Sequence, residues 1–395
     1  MDNQHPSCHI FCESVAEGSV LSFVRSLGKK NVSVYIYLLG DKKGLLSVYT
    51  NSRYCKEVLV VNEENFLTVL SNRTTSASSK KNILLPFSDK TALLVANNRE
   101  FLENFYTILQ AEAEVIMGML DKAKASKLSS QCGLLLPVTY YISNIEDLIA
   151  IKEHIPFPAI LKPKWYKTNK SNNFKAVIVK NKQELIRHAN TLLRDGTKFI
   201  IQEYIKGGDE SIEFFLFYRT KEGKIYSCSG KKIFQYPQGA GIMAIGSTSK
   251  ENFLLKDARI LLKCINYHGF GGLEFKSYGD KRYFIEMNAR PEGITHIAIS
   301  SGLDLPWIGY TDAAGLNLSE SLPTSNSKIS YYFNPFCCWG VIKSSKHKIR
   351  TCKRIISLIL SKKATTDIIC LKDIKPSIVL FYLLIKRKLI SCISR

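Results

Sequence analysis

The sequence predicts a chain of mixed α/β and α+β class with more than one domain. Its 395 residues exceed what one small hydrophobic core can organise. The first hundred residues alternate strand-like apolar runs with helical segments, which is typical of a parallel sheet. From Pro158 onward, strand patterns separated by short turns predominate, and these indicate antiparallel pairing.

The N-terminal region is predicted to alternate strands and helices. Residues 9–12 form an apolar stretch, and Glu13-Ser14 could cap a helix that runs through Gly28. Residues 32–39 and 58–61 predict buried strands, and residues 83–85 and 92–96 are again apolar. Residues 71–80 are polar and form a connection between units.

The middle of the chain is predicted to change from helix to antiparallel strands. Apolar residues at three- and four-residue spacing predict a helix over residues 98–120. Strands are then predicted at residues 175–180, 199–205, 211–218 and 223–229, with a helix at 183–194 and Gly207-Gly208 at the turn before 211. Gly279-Asp280 is predicted to close a hairpin between residues 272–276 and 282–287. Residues beyond about 335 are predicted to be helical.

The net charge of +21 is concentrated near the C-terminus. Residues 343–395 contain fourteen Lys and Arg against Asp367 and Asp373, so this segment contributes +12. One interpretation is a solvated basic tail that serves solubility. Another is a basic amphipathic segment that meets an anionic substrate, or anionic lipid at the inner face of a membrane. No nucleic-acid-binding motif accompanies the charge, so no nucleic acid partner is expected.

The eleven cysteines show no pattern typical of a zinc site or a disulfide framework. Cys8 and Cys12 are four residues apart, and Cys337 and Cys338 are adjacent. We therefore expect scattered thiols in a reducing cytoplasm. The first residues contain no secretory signal, and no run of eighteen apolar residues occurs, so the sequence predicts a cytoplasmic chain without a membrane span.

Two acids and an amide carry the strongest chemical signal. Glu274 and Glu286 lie on the two strands of the predicted hairpin, and Asn288 is two residues beyond Glu286. Even spacing along strands lets these side chains share one face, and the apolar flanking residues would face the other side: Leu273, Phe275, Ile285 and Met287. Their oxygens are the hard ligands that Mg²⁺ prefers, with nucleotide phosphates and water completing the coordination. An exposed strand face that carries ordinary acids is the alternative.

Further charged residues follow the predicted strands. Lys162 ends an apolar strand before Pro163 and could act as a point charge on a phosphate, although a lysine at the rim of a sheet is the alternative. Glu203 and Glu210 flank a turn that could contact a purine and its ribose. Lys232 precedes a glycine loop at residues 238–241, and a cation at this place suits an anionic reaction centre. Arg290 could bind a phosphate or a carboxylate through two hydrogen bonds.

In this order along the chain, these segments resemble the ATP-grasp superfamily. The resemblance rests on Lys162-Pro163, Gln202-Glu-Tyr-Ile205, Glu210, Glu274 and Ile285-Glu-Met-Asn-Ala-Arg-Pro291, and it covers about residues 10–320. It is closest to predicted carboxylate–amine ligases that include D-aspartate ligases. The resemblance implies an ATP-grasp fold with a Rossmann-like domain at residues 1–115, an ATP-grasp domain at 116–320 with a lid at about 135–205, and a basic helical appendix at 321–395.

The resemblance also implies roles for individual residues. Lys122 and Lys162 would contact ATP phosphates, Glu203 and the backbone of Ile205 would hold adenine, and Glu210 would hold ribose. Two Mg²⁺ or Mn²⁺ ions would be held by Glu274, Glu286 and Asn288. Arg290 would stabilise the transferred phosphoryl group or the acyl phosphate, and Lys232 would add positive charge near the γ-phosphate. The chain departs from the family at residues 164–174, where the expected glycine-rich loop contains no glycine.

The implied activity is the ATP-dependent joining of a carboxylate to an amine through an acyl phosphate. Joining of a carboxylate to a thiol is the less favoured variant of this activity. The alternatives are an ATP-binding module with weakened catalysis and a membrane- or polymer-associated binding protein. The expected partners are a small-molecule carboxylate and amine, such as an amino acid, a peptide or a cell-envelope precursor. The first hundred residues and the loops near 239–249 and 293–301 are expected to shape their pocket.

Overall fold

The computed structural model describes residues 5–13, 17–41, 44–73, 81–163, 176–316, 318 and 322–393. These residues form three β-sheets with helices packed against them. Within the described ranges, no helix has the length and apolar character needed to cross a membrane.

The first part of the chain builds a parallel five-stranded sheet in the order β3-β2-β1-β4-β5, which confirms the predicted parallel sheet. Its strands are β1 (Cys8–Cys12), β2 (Val34–Leu39), β3 (Glu57–Val61), β4 (Asn82–Pro86) and β5 (Tyr106–Ile108). The intervening helices are α1 (Glu17–Gly28), α2 (Leu45–Thr50), α3 (Phe66–Ser71), α4 (Asp89–Asn97) and α5 (Arg99–Glu103). Every residue of the central strand β1 is buried, as expected for a parallel sheet that helices cover on both faces. The predicted cap at Ser14 and part of the polar connection at 71–80 lie outside the described residues.

The prediction of one helix over residues 98–120 is wrong. The helix is interrupted after Glu103, and strand β5 follows it before α6 (Ala113–Leu120) begins. The Tyr-Thr-Ile sequence of β5 pairs with β4 in parallel, from Asn82 with Tyr106 to Leu84 with Ile108. Pairing at the edge of a sheet therefore overrides the local helical periodicity, because aromatic and β-branched residues fit a pleated, half-buried surface.

A second, antiparallel sheet has four strands in the order β6-β9-β7-β8. Helix α7 (Lys122–Gln131) precedes it, and its strands are β6 (Thr139–Ile142), β7 (Ala159–Pro163), β8 (Val177–Val179) and β9 (Phe199–Glu203). Helices α8 (Ile145–Ile151) and α9 (Lys182–Arg194) bury Leu148 and Leu185 in the same core as the strands.

The third sheet has six antiparallel strands in the order β14-β13-β10-β11-β12-β15. The strands are β10 (Ile212–Arg219), β11 (Ile225–Tyr236), β12 (Ile242–Thr248), β13 (Gly269–Tyr278), β14 (Lys281–Asn288) and β15 (Tyr331–Phe333). Helix α10 (Leu255–Cys264) lies between β12 and β13 in the chain, and α11 (His296–Ser300) and α12 (Leu305–Ala313) follow β14. The hairpin predicted at Gly279 is confirmed, and Gly279 has a positive φ of 58°, which glycine adopts without steric cost.

Gly207-Gly208 does not close a hairpin, contrary to the simplest interpretation of the sequence. Strand β9 belongs to the four-stranded sheet and β10 to the six-stranded sheet, so the glycines lie in the connection between the two sheets. Gly207 has a φ of 123°, a conformation that other residues rarely adopt. Local turn chemistry indicates a change of direction, but strand partners depend on tertiary packing.

The parallel sheet and the six-stranded sheet share one hydrophobic core. The ring of Phe23 in α1 lies 4.7 Å from that of Phe87 and 5.2 Å from that of Phe270 in β13, both measured between centroids. Because α1 packs against both sheets, the C-terminal edge of the parallel sheet lies close to the β13–β14 hairpin.

The C-terminal segment is helical, as predicted, and it packs on the rest of the protein. Its helices are α13 (Pro335–Ser344), α14 (Lys348–Ser361) and α15 (Lys375–Ile393). Arg25 Nε in α1 lies 2.9 Å from Asp373 Oδ2, and both side chains are buried. Ser52 Oγ and the Arg53 backbone N–H also donate to the Asp373 carboxylate. Burial of this hydrogen-bonded ion pair attaches the segment to the N-terminal region.

The expectation of unpaired thiols is wrong for two cysteines. A disulfide joins Cys132, just after α7, to Cys264 at the end of α10. Their Cα atoms are 5.9 Å apart, although 132 positions separate them in the chain. Spacing in a sequence cannot indicate such a pair, because the geometry of a disulfide depends on where the fold places the two Cα atoms.

Candidate functional site

The hairpin of β13 and β14 brings together the acids and the amide that the sequence singled out. Glu274 lies directly opposite Glu286, and Gly272 lies opposite Asn288. Opposed residues of an antiparallel pair project from the same face, so these groups share one surface of the sheet. The neighbouring side chains of Leu273, Phe275 and Met287 are buried in the core.

One flanking residue differs from the predicted alternation. The register shifts after Glu274, so that Phe275 pairs with Phe284 and Ile285 is the extra residue of a β-bulge. Phe284, rather than Ile285, is therefore buried below the sheet. A bulge re-aims the side chains beside it, and here it occurs between the two candidate carboxylates and the tip of the hairpin.

Lysine and arginine side chains surround the paired carboxylates. Lys232 of β11 is only 3% exposed, and its Nζ lies 2.6 Å from Glu274 Oε1. Burial tends to raise the pKa of Glu286, but the positive charges of Lys122, Lys162, Lys232 and Arg290 outweigh it and lower this pKa. Glu286 is therefore an ionised carboxylate at neutral pH, in the middle of a cationic pocket.

Lys162 links the four-stranded sheet to this pocket. It lies near the end of β7, and its Nζ donates a hydrogen bond to Gln202 Oε1 at 3.1 Å. Burial lowers the pKa of Lys162 to about 8, and the charges of Glu286 and Glu274 only partly oppose this effect. Gln202 thus orients the candidate phosphate-binding lysine. The sequence predicted no role for this glutamine, although it belongs to a segment that carries the resemblance.

The predicted nucleotide-binding segment lies between the two antiparallel sheets. Glu203 ends β9, and its Oε2 accepts a hydrogen bond of 3.3 Å from the Val138 backbone N–H. Ile205 follows and is buried. Glu210 is exposed instead, and its carboxylate lies 3.3 Å from Arg354 of α14.

Asp209 was missed by sequence reasoning, and it holds the glycine loop beside Lys232. Its carboxylate accepts hydrogen bonds from the backbone N–H and the side-chain amide of Gln235, at 3.0 and 2.9 Å. The Gly239 N–H lies 3.4 Å from the same carboxylate. Lys232 Nζ in turn donates to the Gly241 carbonyl at 3.2 Å. An acid directly before Glu210 was the only signal in the sequence.

Arg290 connects the hairpin to the parallel sheet. Its Nε donates to Asp89 Oδ1 at 2.8 Å, and Asp89 is the first residue of α4, just beyond β4. Another guanidinium nitrogen donates to Asn288 Oδ1 at 3.2 Å. Asp89 was not recognised in the sequence as a site residue, because only the tertiary structure brings β4 and β14 together.

Glu292 is a further acid that sequence reasoning missed. The Asn288 side-chain amide donates to its carboxylate, and Arg290 lies 3.8 Å from it. Burial raises the pKa of Glu292, and repulsion from Glu274 and Glu286 adds to the rise, although Arg290 opposes it. Its spacing, two residues beyond Arg290, continues the alternation of Glu286 and Asn288 and could have revealed it.

The parallel sheet contributes one more carboxylate at its C-terminal edge. Glu13 directly follows the central strand β1, and Asp89 lies beyond the neighbouring strand β4. Glu13 Oε2 is buried, and it has no hydrogen-bond partner in the described part of the chain. Ligands of open α/β sheets bind at this edge, so an unpaired acceptor there is a candidate for contact with a substrate.

The donor set suits Mg²⁺ only if an amide takes part. The described residues contain no group of three His, Cys, Asp or Glu side chains arranged to hold a metal ion. Glu292 therefore lies beside the two hairpin carboxylates and not in one cluster with them. Two carboxylates and the Asn288 oxygen remain as hard oxygen donors. The loop at residues 164–174 lies outside the described residues. Two surface cavities, beside α10 and beside the disulfide, do not include any of these groups.

Comparisons with known proteins bear on the fold. No family model matches the chain. It is 25% identical over 278 residues to the carbamoyl phosphate synthase large chain of Methanocorpusculum labreanum, a match that spans 67% of this chain but only 26% of that protein.

Solved structures match over most of both chains. N5-carboxyaminoimidazole ribonucleotide synthetase from Thermus thermophilus superposes with a TM-score of 0.63 at 15% identity, covering 86% of this chain and 87% of that one. The L-amino acid ligase from Bacillus licheniformis gives a TM-score of 0.62 at 14% identity, with coverage of 84% and 80%. The biotin carboxylase domain of 2-oxoglutarate carboxylase from Hydrogenobacter thermophilus, determined with MgADP, ADP and bicarbonate, gives 0.61 at 17%, with coverage of 82% and 73%. The parallel sheet, the two antiparallel sheets and these likenesses together establish that the chain has the ATP-grasp fold.

Proposed function

We propose that this protein is an ATP-dependent ligase that activates a carboxylate as an acyl phosphate and transfers the acyl group to an amine. The observation that carries the proposal is the direct opposition of Glu274 and Glu286, with Asn288 on the same face, inside a ring of lysine and arginine side chains. A carboxylate such as Glu286, held ionised among several cations, is costly to retain for stability alone, and it suits charge transfer at a phosphate.

The first part of the proposal concerns the nucleotide and its metal. Glu274, Glu286 and Asn288 would hold Mg²⁺ or Mn²⁺, which supplies charge neutralisation for the phosphates when bound. Lys162, oriented by Gln202, would contact the phosphates together with Lys122. Glu203 and Ile205 would hold the adenine between the two antiparallel sheets. Ribose contact by Glu210 requires that it release Arg354, since the two side chains form an ion pair.

The second part concerns the reacting groups. The substrate carboxylate would attack the γ-phosphate in line, forming a P–O bond as the bond to ADP breaks. Lys232 and Arg290 would offset the charge that develops, since Lys232 already pairs with Glu274 and Arg290 donates to Asn288 beside Glu286. The amine would then attack the acyl carbon, which releases phosphate and leaves an amide. Positioning of the two substrates would supply much of the rate.

The third part concerns the amine. Glu13 Oε2, which is buried at the edge of the parallel sheet and has no partner among the described residues, would accept a hydrogen bond from the ammonium group of the incoming substrate. Exchanging Glu13 for Gln removes the charge but keeps the shape, so it should raise the KM for the amine about 10- to 100-fold, with the KM for ATP unchanged. An unchanged KM for the amine would remove Glu13 from the proposal.

Phosphate release in the presence of Mg²⁺ and candidate amino acids, peptides or cell-envelope precursors tests the activity. Hydroxylamine can replace the amine and trap an acyl phosphate as a hydroxamate, which identifies the carboxylate before its natural acceptor is known. Glu274→Gln and Glu286→Gln should lower turnover by about a thousandfold or more, because each removes a charged ligand. Glu251→Gln, at a solvent-exposed acid, is the matched control.

Two outcomes would contradict the ligase. Full turnover in both hairpin variants would mean that these acids do not hold the metal. Binding of ATP without turnover for any carboxylate would instead favour an ATP-binding module with weakened catalysis, the alternative that the glycine-free sequence of residues 164–174 supports.

A further inference from the structure

The C-terminal helices expose both apolar and basic side chains. Nearly half of the large apolar side chains that are exposed among the described residues fall within residues 339–385. Leu371 is 88% exposed, Ile349 75% and Leu360 72%. A soluble surface rarely concentrates such side chains unless it binds something.

On α14 the exposed apolar residues form a stripe of their own. The stripe has spacings of four, three and four residues and includes one lysine among its apolar members. It consists of Ile349, Lys353, Ile356 and Leu360, all of which are exposed. Residues at this spacing lie one above the other on a helix. The side of α14 that carries Ile355 packs into the core with α13, so the stripe is not the packed face of the helix.

Helix α15 repeats the arrangement. Ile378, Tyr382 and Ile385 lie at spacings of four and three residues and are exposed, and Lys386 follows them. Leu380 on the other side of the helix is buried, and Leu383 is within 4 Å of the position that a Cβ at Gly44 would occupy, just before α2. The helix is therefore docked through one face and leaves a second apolar face uncovered within the described residues.

The exposed charges of residues 343–395 have a single sign, and the acid that pairs with one of them, Glu210 beside Arg354, comes from outside the segment. The only acids of residues 343–395 are Asp367 and Asp373, and both are buried. Asp373 is bound by Arg25, and Asp367 accepts a hydrogen bond from the Tyr332 hydroxyl at 3.0 Å. The described lysine and arginine side chains of the segment are exposed. The fold thus removes the negative charges from the surface and keeps the positive ones.

We propose that the exposed faces of α14 and α15 form a docking surface for an anionic phospholipid bilayer. Apolar side chains would enter the boundary between headgroups and acyl chains, and the interspersed lysines and arginines would contact the lipid phosphates. Because no described helix can cross the bilayer, the chain would lie on its surface. A solvated tail would not need the apolar stripes, and a protein partner would not require that every exposed charge have the same sign.

Flotation of the full chain with phospholipid vesicles tests the surface. Vesicles of phosphatidylcholine with about a third phosphatidylserine should bind the chain, pure phosphatidylcholine vesicles should bind it at least tenfold less, and 0.5 M salt should weaken the binding. The double variant Ile356→Glu with Leu360→Glu should lower the partition coefficient on anionic vesicles more than tenfold. Ile149→Glu, an equally exposed position on α8, is the matched control and should bind as the natural chain does.

A second variant, Tyr382→Glu, tests α15 and guards against misfolding of α14. Circular dichroism and the thermal midpoint of each variant should match those of the natural chain, because every substituted side chain is exposed. Equal binding to neutral and anionic vesicles, or undiminished binding by both variants, would overturn the proposal. Self-association of the chain that the same variants abolish, without vesicle binding, would also overturn it and assign the surface to a second copy.

Discussion

The most discriminating perturbation of the site is one methyl group at Gly272. This residue lies opposite Asn288 in the hairpin, and a Cβ built on it would be 2.3 Å from Glu292 Cγ and 2.7 Å from Glu292 Oε1. Carbon atoms in contact are ordinarily about 3.5–4.0 Å apart, so the Glu292 side chain must move by more than 1 Å or so. Glu292 cannot move freely, since Asn288 donates to its carboxylate.

The expected cost has two parts. Overpacking of this kind costs about 1–3 kcal/mol, and loss of the hydrogen bond between Asn288 and the Glu292 carboxyl group costs about 0.5–3 kcal/mol. The larger effect should be on catalysis, because Asn288 loses the contact that orients it beside Glu286. Misplacement of a catalytic ligand by about 1 Å lowers rates roughly a hundredfold. Gly272→Ala should therefore lower Mg²⁺-dependent turnover about a hundredfold while the protein remains folded.

Gly293→Ala is the matched control, because a Cβ at Gly293 meets no atom within 4 Å and Gly293 directly follows Glu292. Steady-state phosphate release and urea denaturation of both variants provide the comparison. If Gly272→Ala and Gly293→Ala are equally active, Glu292 does not orient the amide of Asn288, the proposed metal ligand. If Gly293→Ala loses activity while its stability equals that of the natural chain, the activity depends on the loop around Gly293 and not on the contact between Gly272 and Glu292.

Three further predictions concern other parts of the chain. Burial lowers the pKa of Lys162 to about 8, and phosphate binds the charged form of the lysine. Nucleotide affinity, measured by titration calorimetry, should therefore fall by up to about tenfold per pH unit above pH 8. In Lys162→Arg, whose side chain has a higher pKa, the affinity should not change over the same pH range. Asp373→Asn breaks a buried ion pair and should cost about 3–5 kcal/mol of unfolding free energy, well above the value of an exposed pair, and an unchanged urea midpoint would contradict the attachment through Arg25. Thiol titration of the denatured chain should find two fewer reactive cysteines before reduction than after it; equal counts would mean that Cys132 and Cys264 are unpaired.

Local patterns in the sequence predicted the hairpin and the acids on it. The two-residue turn at Gly279-Asp280 sets a register in which Glu274 would oppose Ile285, and the β-bulge at Ile285 shifts that register so that Glu286 lies opposite Glu274. The turn acts over a few residues and could be predicted, whereas the bulge that brings the two acids onto one face is seen only in the structure. The parallel sheet was predictable for a similar reason, since its buried strands are continuous apolar runs.

Contacts between distant segments could not be predicted in the same way. Asp89 accepts a hydrogen bond from Arg290, which is 201 positions away in the sequence. Glu13 lies at the same edge of the parallel sheet as Asp89. The sequence predicted no role at the site for either acid, because its environment is created by the shared core of two sheets. The same holds for Cys132 and Cys264, whose proximity depends on how α7 and α10 pack.

By itself, the sequence determined the parallel sheet at the start of the chain, the hairpin that carries the two acids and the positive charge of the C-terminal segment. Tertiary structure decided what those features do, because it chose which groups became neighbours. Pairing at the sheet edge replaces part of one predicted helix by β5, and burial of both acids of residues 343–395 leaves that segment with positive charges only among its exposed ones. Local propensity acts within a few residues, whereas burial and charge pairing depend on the whole packed chain.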